Sequence, residues 1–162
     1  MTAGLRKKDP FFLGKCRFGD QNCIVEEGRD CSTMHVIYEI TCNTCQQIID
    51  TQIKDTREPG NQKGKNYIGM TMTLAHCRMV THLSDQKSKR NKCPLWRHDR
   101  DSHEGERQQY KTRILSKDRS VLPLSILEAL YIEKQIPGTS LNERNEFGRG
   151  SIVRLSAERA VS

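Results

Sequence analysis

The fold is decided by residues 35–41, whose sequence is HVIYEIT. β-Branched and aromatic side chains dominate this stretch, which is typical of a largely buried β-strand. A second strand is indicated where Tyr67, Ile68 and Gly69 follow a segment rich in turn residues. The two strands are expected to pair antiparallel, and this pairing would bring Tyr38 and Tyr67 close together on one sheet.

Four further elements are expected along the chain. A helix capped by Thr71 or Thr73 follows the second strand. Pro94 opens a short helical stretch, and Pro123 opens a longer helix. Residues 110–115 alternate well enough for a third strand. Together these elements predict an α+β fold in which a small antiparallel or mixed three-stranded sheet is flanked by helices.

The 162 residues fit one domain of ordinary size with extensions at its ends. Residues 1–30 show neither a helical nor a strand period, so we interpret them as a Cys-containing arm that is irregular unless a metal ion organises it. Residues 31–147 form the predicted domain, and residues 148–162 form the predicted tail. Between the first two strands, residues 54–65 are basic and rich in turn signals, which predicts an exposed hairpin tip.

The charge balance indicates a polyanionic partner. Lys and Arg number 27 against 20 Asp and Glu, a net charge of +7, and DNA or RNA is the leading candidate. The residues expected to contact phosphate groups are Lys54, Arg57, Lys63, Lys65, Lys87, Lys89, Arg90 and Lys92. The sequence shows no secretory signal and no apolar run that could span a membrane, so we expect a nuclear or otherwise intracellular protein without a membrane partner.

Seven cysteines without a secretory signal favour metal binding over a disulfide framework. Cys42 and Cys45 form a CxxC pair, and His98 and His103 are spaced so that both rings can turn inward. These four residues predict one tetrahedral, structural Zn2+ site, so that the fold would carry a zinc-knuckle insertion. The alternative is a pair of thiols and two surface imidazoles with no metal.

A second, weaker cysteine pattern precedes the first strand. Its spacing, C-x6-C-x7-C-x3-H, loosely resembles that of CCCH zinc fingers. A possible second Zn2+ ion would be held by Cys16, Cys23, Cys31 and His35. A rival pairing of the CxxC motif with His76 and His82 is less favoured, because both histidines lie on a predicted helix where His82 has another use. Cys77 and Cys93 are interpreted as small apolar residues.

Glu128 lies in the apolar stripe of the last predicted helix, with Leu124 and Ile132 four residues to either side. A carboxylate in such a position needs a partner. Three arrangements are open at this point: an ion pair with an arginine such as Arg78, a divalent-cation ligand, or a helix rotated toward solvent.

An ordered set of polar residues runs through residues 31–147. The tripeptides Val36-Ile37-Tyr38 and Tyr67-Ile68-Gly69 are followed by Arg78, His82, Glu128 and Asn142. This order resembles that of the GIY-YIG nucleases, and most closely the endonuclease domain of Penelope-like retroelements. The Cys pair and the His pair are similar to the zinc signature of that branch. Val36 in place of Gly, and a long connection between the tripeptides, depart from the family pattern.

The resemblance implies a metal-dependent DNA endonuclease that nicks a phosphodiester bond and leaves a 3′-hydroxyl from which reverse transcription can begin. It implies that Glu128 holds one Mg2+ or Mn2+ ion and that Arg78 clamps the scissile phosphate. Tyr38 would be the general base, with Tyr67 as its hydrogen-bonding partner. His82 would donate or relay a proton.

The same family resemblance implies that Asn142 orients the site or a backbone segment. The implied partners are DNA and a reverse transcriptase domain with the RNA of the same element. Two other functions are compatible with the sequence. One is a zinc-stabilised nucleic-acid-binding module without catalytic activity, and the other is a structural zinc protein with no affinity for DNA.

Overall fold

A computed structural model describes residues 16, 18–26, 30–56, 65–135 and 139–142, with the backbone alone at residues 30 and 52–56. Its elements in chain order are a 3-10 turn (Asp30–Ser32), β1 (Val36–Cys42), α1 (Asn43–Thr56), β2 (Asn66–Thr71), α2 (Ala75–Lys87), α3 (Pro94–Ser102), β3 (Tyr110–Lys117) and α4 (Val121–Glu133). The predicted α+β class is confirmed. The predicted tail, residues 148–162, lies outside the described residues.

The three strands form one antiparallel sheet in the order β2-β1-β3. Tyr38 pairs with Gly69, and Ile40 pairs with Tyr67. The pairing of β1 with β3 is irregular between Ile37 and Tyr38. The predicted antiparallel pairing of the two tripeptide strands is therefore confirmed. The side chains of β1 are almost all buried, as is expected of a central strand whose two faces are both covered.

The sheet has two packed faces, because successive side chains of a strand point in opposite directions. The α2 face is covered by α2 and α3, and its buried residues include Val36, Tyr38, Ile40, Cys42, Ala75, Met79 and Leu95. The α4 face is covered by α4, and its buried residues are Ile37, Ile68 and Leu124. The sheet thus separates α4 from α2 and α3.

The connection between β1 and β2 differs from the predicted hairpin tip. Helix α1 follows β1 directly, with Asn43 N donating to the carbonyl of Gln109. Within α1, Gln46 Nε2 donates to Asp50 Oδ1 at 2.9 Å, a helical i, i+4 contact. The turn residues that suggested a hairpin begin only after α1, and residues 57–64 lie outside the described part of the chain.

The described part of the predicted arm packs against the sheet. Thr112 N donates to Ile24 O at 2.6 Å, and Glu26 N donates to Thr112 O at 2.8 Å. Val25 therefore forms a parallel bridge with Thr112 and is buried. Cys16 is also buried in the core of the α2 face. Residues 16 and 24–26 consequently belong to the same packed unit as the sheet.

The start of α2 also differs from the prediction. Leu74 occupies the N-cap position of α2 without a side-chain cap. Thr71 Oγ1 instead accepts the N–H of Thr73 at 3.2 Å, while Ala75 N donates to Thr33 O at 2.9 Å. The orphan N–H group of the first helical turn is satisfied by backbone from the preceding segment, so the expected threonine cap is not needed.

Candidate active site and metal centre

Three side chains meet between β1 and α2. Tyr38 has no exposed surface, and its hydroxyl oxygen lies 2.8 Å from Nε2 of His82 and 3.2 Å from Nε of Arg78. Both α2 residues reach the same hydroxyl because they are one helical turn apart. The sequence predicted Tyr38, Arg78 and His82 as members of one site, and the structure brings them into direct contact.

Burial, and then the charge of Arg78, lower the pKa of His82 to about 3. The imidazole is therefore neutral near pH 7. Because the guanidinium of Arg78 can only donate, we assign the Tyr38 O–H as the donor to Nε2 of His82. Burial alone would lower the pKa of Arg78, but the Tyr38 and Tyr67 hydroxyl groups outweigh it and hold that pKa above its usual value.

Gly69 makes room for both tyrosine rings. A Cβ atom at this position would lie 2.5 Å from the hydroxyl oxygen of Tyr38 and 2.8 Å from Cε1 of Tyr67, which is closer than real Cβ contacts. The ring centroids are 6.4 Å apart for Tyr38 and Tyr67 and 5.6 Å apart for Tyr67 and His82. The glycine of the second tripeptide therefore has a steric role that the sequence pattern alone did not reveal.

Glu128 is buried, with 5% of its surface exposed, which excludes the expectation of a helix rotated toward solvent. Its helix packs on the α4 face through Leu124, whereas Tyr38 lies on the α2 face. Within the described residues, the groups of three or more possible metal ligands do not include Glu128. We therefore derive no catalytic step through a divalent cation.

Asn142 acts on the backbone of β2. Its Oδ1 accepts the N–H of Ile68 at 2.9 Å, and its Nδ2 donates to the carbonyl of the same residue at 2.7 Å. Beside it, Leu141 N donates to Asn66 O at 2.7 Å. The amide of Asn142 therefore substitutes for a peptide group at the strand edge, which is the backbone-orienting role that the sequence suggested.

The first Cys/His cluster forms a compact ligand set. Cys45 Sγ lies 3.4 Å from His98 Nε2 and 3.5 Å from His103 Nε2. Cys42 Sγ is 3.7 Å from His103 Nε2, and the two Nε2 atoms are 3.2 Å apart. Bond lengths of about 2.3 Å for Zn–S and 2.0–2.1 Å for Zn–N place tetrahedral ligand atoms roughly 3.3–3.8 Å apart. The four residues could therefore hold a metal ion such as zinc.

This metal centre joins the end of β1 and the start of α1 to α3. Burial raises the pKa of the Cys42 thiol to about 12, and burial followed by His103 lowers the pKa of His98 to about 4. Both groups are therefore uncharged near pH 7 in the absence of an ion, and a bound cation would deprotonate the thiol. An ion held by all four residues would have no open position for a substrate, which is the arrangement of a structural zinc site.

A buried polar network that the sequence did not predict supports α3 next to the metal centre. Asp99 has no exposed surface. Its Oδ1 accepts the Tyr110 hydroxyl at 2.6 Å, and its Oδ2 accepts Gln86 Nε2 at 2.7 Å. The Asp99 carbonyl also accepts the N–H of His103 at 3.0 Å. The network fixes the helix turn from which both histidine ligands project.

Two of the three upstream cysteines, Cys16 and Cys23, group with a histidine other than the predicted one, and Cys31 is not part of that group. The ligand atoms of Cys16, Cys23 and His76 all lie within 4.8 Å of one another, and His35 is not a member of this group. His35 adopts a left-handed backbone conformation (φ 55°) at the entry to β1, where its carbonyl accepts the N–H of Asp118. Cys77 and Cys93 were expected to be small packing residues. Cys93 is buried, as expected, whereas Cys77 is exposed.

The basic residues after α2 form an exposed loop. Lys87, Lys89, Arg90 and Lys92 are all exposed, and Lys65 is half-buried. Lys89 Nζ lies 5.1 Å from the ring centroid of Trp96, and Arg90 pairs with Asp85 at 3.1 Å. The side chains of Lys54, Arg57 and Lys63 lie outside the described residues. The exposed loop is therefore the described part of the predicted phosphate-contact surface.

A second set of buried polar residues occupies the α4 face. Glu39 interrupts the apolar sequence of β1 and is buried. Its carboxylate accepts Asn66 Nδ2 at 2.7 Å and Arg113 Nη2 at 2.7 Å. Glu39 was not among the residues predicted from sequence, although a charged residue inside a strand of buried residues is a signal that identifies it.

Comparison with known protein families, with curated proteins and with solved structures finds no match to this chain. The helices in the described part of the chain are too short or too polar to cross a membrane.

Proposed function

We propose that this chain is a DNA endonuclease that hydrolyses one phosphodiester bond of a strand and leaves a 3′-hydroxyl end. The observation that carries the proposal is the Tyr38 hydroxyl, which is held between a guanidinium group and a neutral imidazole. The resemblance to the endonucleases of Penelope-like retroelements supports the same function, with a reverse transcriptase domain and its RNA as the partners that would use the 3′ end.

The contacts of Tyr38 supply what hydrolysis needs. An ordinary tyrosine has a pKa of about 10 and is a poor base at neutral pH. Here Arg78 donates to the phenol oxygen and stabilises a phenolate, while His82 accepts the hydrogen bond of the phenol O–H and orients it. The phenol proton is lost to solvent. The phenolate takes a proton from water, the water oxygen bonds to phosphorus, and the P–O3′ bond breaks. The departing O3′ is protonated from solvent, and the remaining donors of Arg78 pair with the phosphate.

Access to Tyr38 requires a local movement. Tyr38 has no exposed surface, whereas Tyr67 and Arg78 are half-buried neighbours. DNA must therefore displace Arg78 or Tyr67 before a water molecule reaches the Tyr38 hydroxyl. Catalytic contacts commonly tighten only when substrate is bound, so burial in the free protein is compatible with a role as base.

A Mg2+ or Mn2+ ion held by Glu128 is the finer part of the proposal. Magnesium retains several waters and needs one or two protein carboxylates together with substrate phosphates. The support is the buried carboxylate of Glu128 and the family resemblance. If Glu128→Ala and the wild type nick DNA at the same rate across a Mg2+ titration, the assignment of Glu128 is wrong.

The experiment is conversion of supercoiled plasmid to the nicked form in Mg2+ or Mn2+, followed by polymerase extension of the nick to detect a 3′-hydroxyl. Arg78→Lys keeps the charge of the side chain and removes its planar fork, so nicking is expected to fall about 100-fold. Arg100→Lys is the matched control, because Arg100 is exposed and pairs with Asp101. Equal nicking by Arg78→Lys and the wild type would contradict the proposed role of Arg78.

A nucleic-acid-binding module without activity is the second candidate. The complete burial of Tyr38 and the exposed basic loop favour it. A salt-dependent gel shift with DNA, together with no nicking in either metal, would select the module. Absence of both binding and nicking would leave a structural zinc protein.

A further inference from the structure

We propose that the chain binds a second Zn2+ ion through Cys16, Cys23, Cys31 and His76, and that this ion fastens the three cysteines to the first turn of α2. Cys16 Sγ lies 3.9 Å from His76 Nδ1 and 3.8 Å from Cys31 Sγ. Tetrahedral zinc bonds place two thiolate sulfurs roughly 3.8 Å apart. The ligand atoms of Cys16, Cys23 and His76 already form one group. Cys31 lies outside that group and contacts it through Cys16, so we assign Cys31 as the fourth ligand that a bound ion would draw in.

The surroundings of His76 orient its ring toward the thiols. Its Nε2 lies 3.7 Å from Asp20 Oδ2, which leaves Nδ1 directed at Cys16. The ring also stacks on Phe18, with centroids 4.8 Å apart, and the Asp20 carboxylate accepts the N–H of Asn22. A carboxylate on the outer nitrogen is the usual partner of a zinc-ligating histidine. The surroundings of His76, and not only its distance from Cys16, are therefore those of a zinc-ligating histidine.

Two backbone turns bring Cys23 back toward Cys16. Gly19 N donates to the carbonyl of Cys16 at 3.0 Å, and Cys23 N donates to the carbonyl of Asp20 at 3.4 Å. Gly19 permits the first turn with a φ of +68°. The local backbone therefore places the two thiols beside each other.

Two other interpretations of the cluster predict different chemistry. Cys16 and Cys31 could be oxidised to a disulfide, or the three thiols could serve as apolar filling of the core, where Cys16 and Cys31 are buried. The zinc proposal differs from both because it requires the imidazole of His76. It also differs from the sequence-based ligand set, which used His35.

The test is the zinc content of the full chain purified under reducing conditions. We expect two zinc ions per chain for the wild type and one for His76→Asn and for Cys23→Ser. His35→Asn and Cys77→Ser are matched controls that should retain two, since asparagine tolerates the left-handed backbone of residue 35 and Cys77 is exposed. One zinc in the wild type, or two in His76→Asn, would overturn the proposal.

A measurement on the wild type covers the case in which the variants fail to fold. With Co2+ in place of zinc, the thiolate-to-cobalt absorbance should correspond to five thiolates per chain, three from this cluster and two from the first centre. Absorbance for two thiolates, or a Cys16–Cys31 disulfide found by mass spectrometry beside a single metal ion, would overturn the proposal. Neither readout depends on nicking activity.

Discussion

The two faces of the sheet use buried polar side chains in different ways. On the α4 face, Glu39 is held by Asn66 and Arg113, which are a strand amide and a surface cation. On the α2 face, Tyr38 is held by Arg78 and His82. The first arrangement neutralises a carboxylate, whereas the second holds one hydroxyl between a permanent donor and a neutral base.

This difference shows that burial of a polar group does not by itself mark a functional site. Glu39 and Tyr38 are both buried and are adjacent along β1. Asn66 and Arg113 both donate to the carboxylate of Glu39. Tyr38 instead has a hydroxyl that donates to His82 and accepts from Arg78. The identity of the partners therefore distinguishes the structural carboxylate of Glu39 from the candidate catalytic hydroxyl of Tyr38.

The largest effect is expected from Cys42→Ser, because the α2 face includes the metal centre and the α4 face does not. Metal binding supplies folding free energy in small metallodomains, so this variant should lose zinc and cooperative thermal unfolding together. Zinc analysis and calorimetry measure the two losses. Cys77→Ser should behave as the wild type does, and full zinc retention in Cys42→Ser would refute the ligand set.

Tyr38→Phe should reduce the nicking rate by about 10²–10⁴-fold, the range for loss of a general base, with little change in stability. Tyr131→Phe is the matched control on the opposite face, since the Tyr131 hydroxyl donates to a backbone carbonyl of β3. Tyr67→Phe separates the two tyrosines of the site. A larger loss with Tyr67→Phe than with Tyr38→Phe would make Tyr67 the base.

The third prediction concerns pH and His82. The folded-state pKa of His82 is about 3 and its ordinary value is 6.5, so the unfolded chain binds one more proton between these values. Stability should therefore fall as pH drops, by about 2 kcal/mol between pH 6.5 and pH 5. Urea unfolding of zinc-loaded wild type and His82→Gln measures this, and equal slopes in the two proteins would contradict it.

The smallest effect is expected from Arg113→Ala on the α4 face. The guanidinium is more than half exposed, and Asn66 continues to pair with Glu39, so the loss should be about 1 kcal/mol of unfolding free energy. Nicking should be unchanged. A loss of nicking without loss of stability would show that Arg113 itself takes part in the chemistry, and Arg100→Ala serves as the control.

The strands and the first Cys/His cluster could be predicted from sequence because their signals are local. A run of β-branched residues defines β1, and the CxxC and HxxxxH spacings each lie within a few residues. The helix period also places Arg78 and His82 on one edge of α2, whereas only the family resemblance put that edge in one site with Tyr38. These features depend on periodicity that short stretches of chain already contain.

The remaining features depend on contacts between distant segments. His76 belongs to the upstream cysteines because α2 packs beside them, 60 residues away along the chain from Cys16. Asp99 is buried because Gln86 and Tyr110, from two other elements, reach it. The spacing of residues along the sequence does not predict such contacts. His35 was chosen as a ligand of the second zinc ion because it is close in sequence to the three cysteines.

The short bridges at residues 24–26 and 139–141 have a consequence for how other molecules can approach. Each lies along an outer strand, one at Thr112 of β3 and one at Asn66 of β2. Unpaired strand edges invite pairing with foreign chains and aggregation. In the described part of the molecule, the outer edges of β2 and β3 are paired at these points with the protein's own backbone. A bound polymer must therefore contact side chains there, because it cannot add as a further strand. Detachment of residues 24–26 or 139–141 would expose an unpaired strand edge and make the protein prone to self-association.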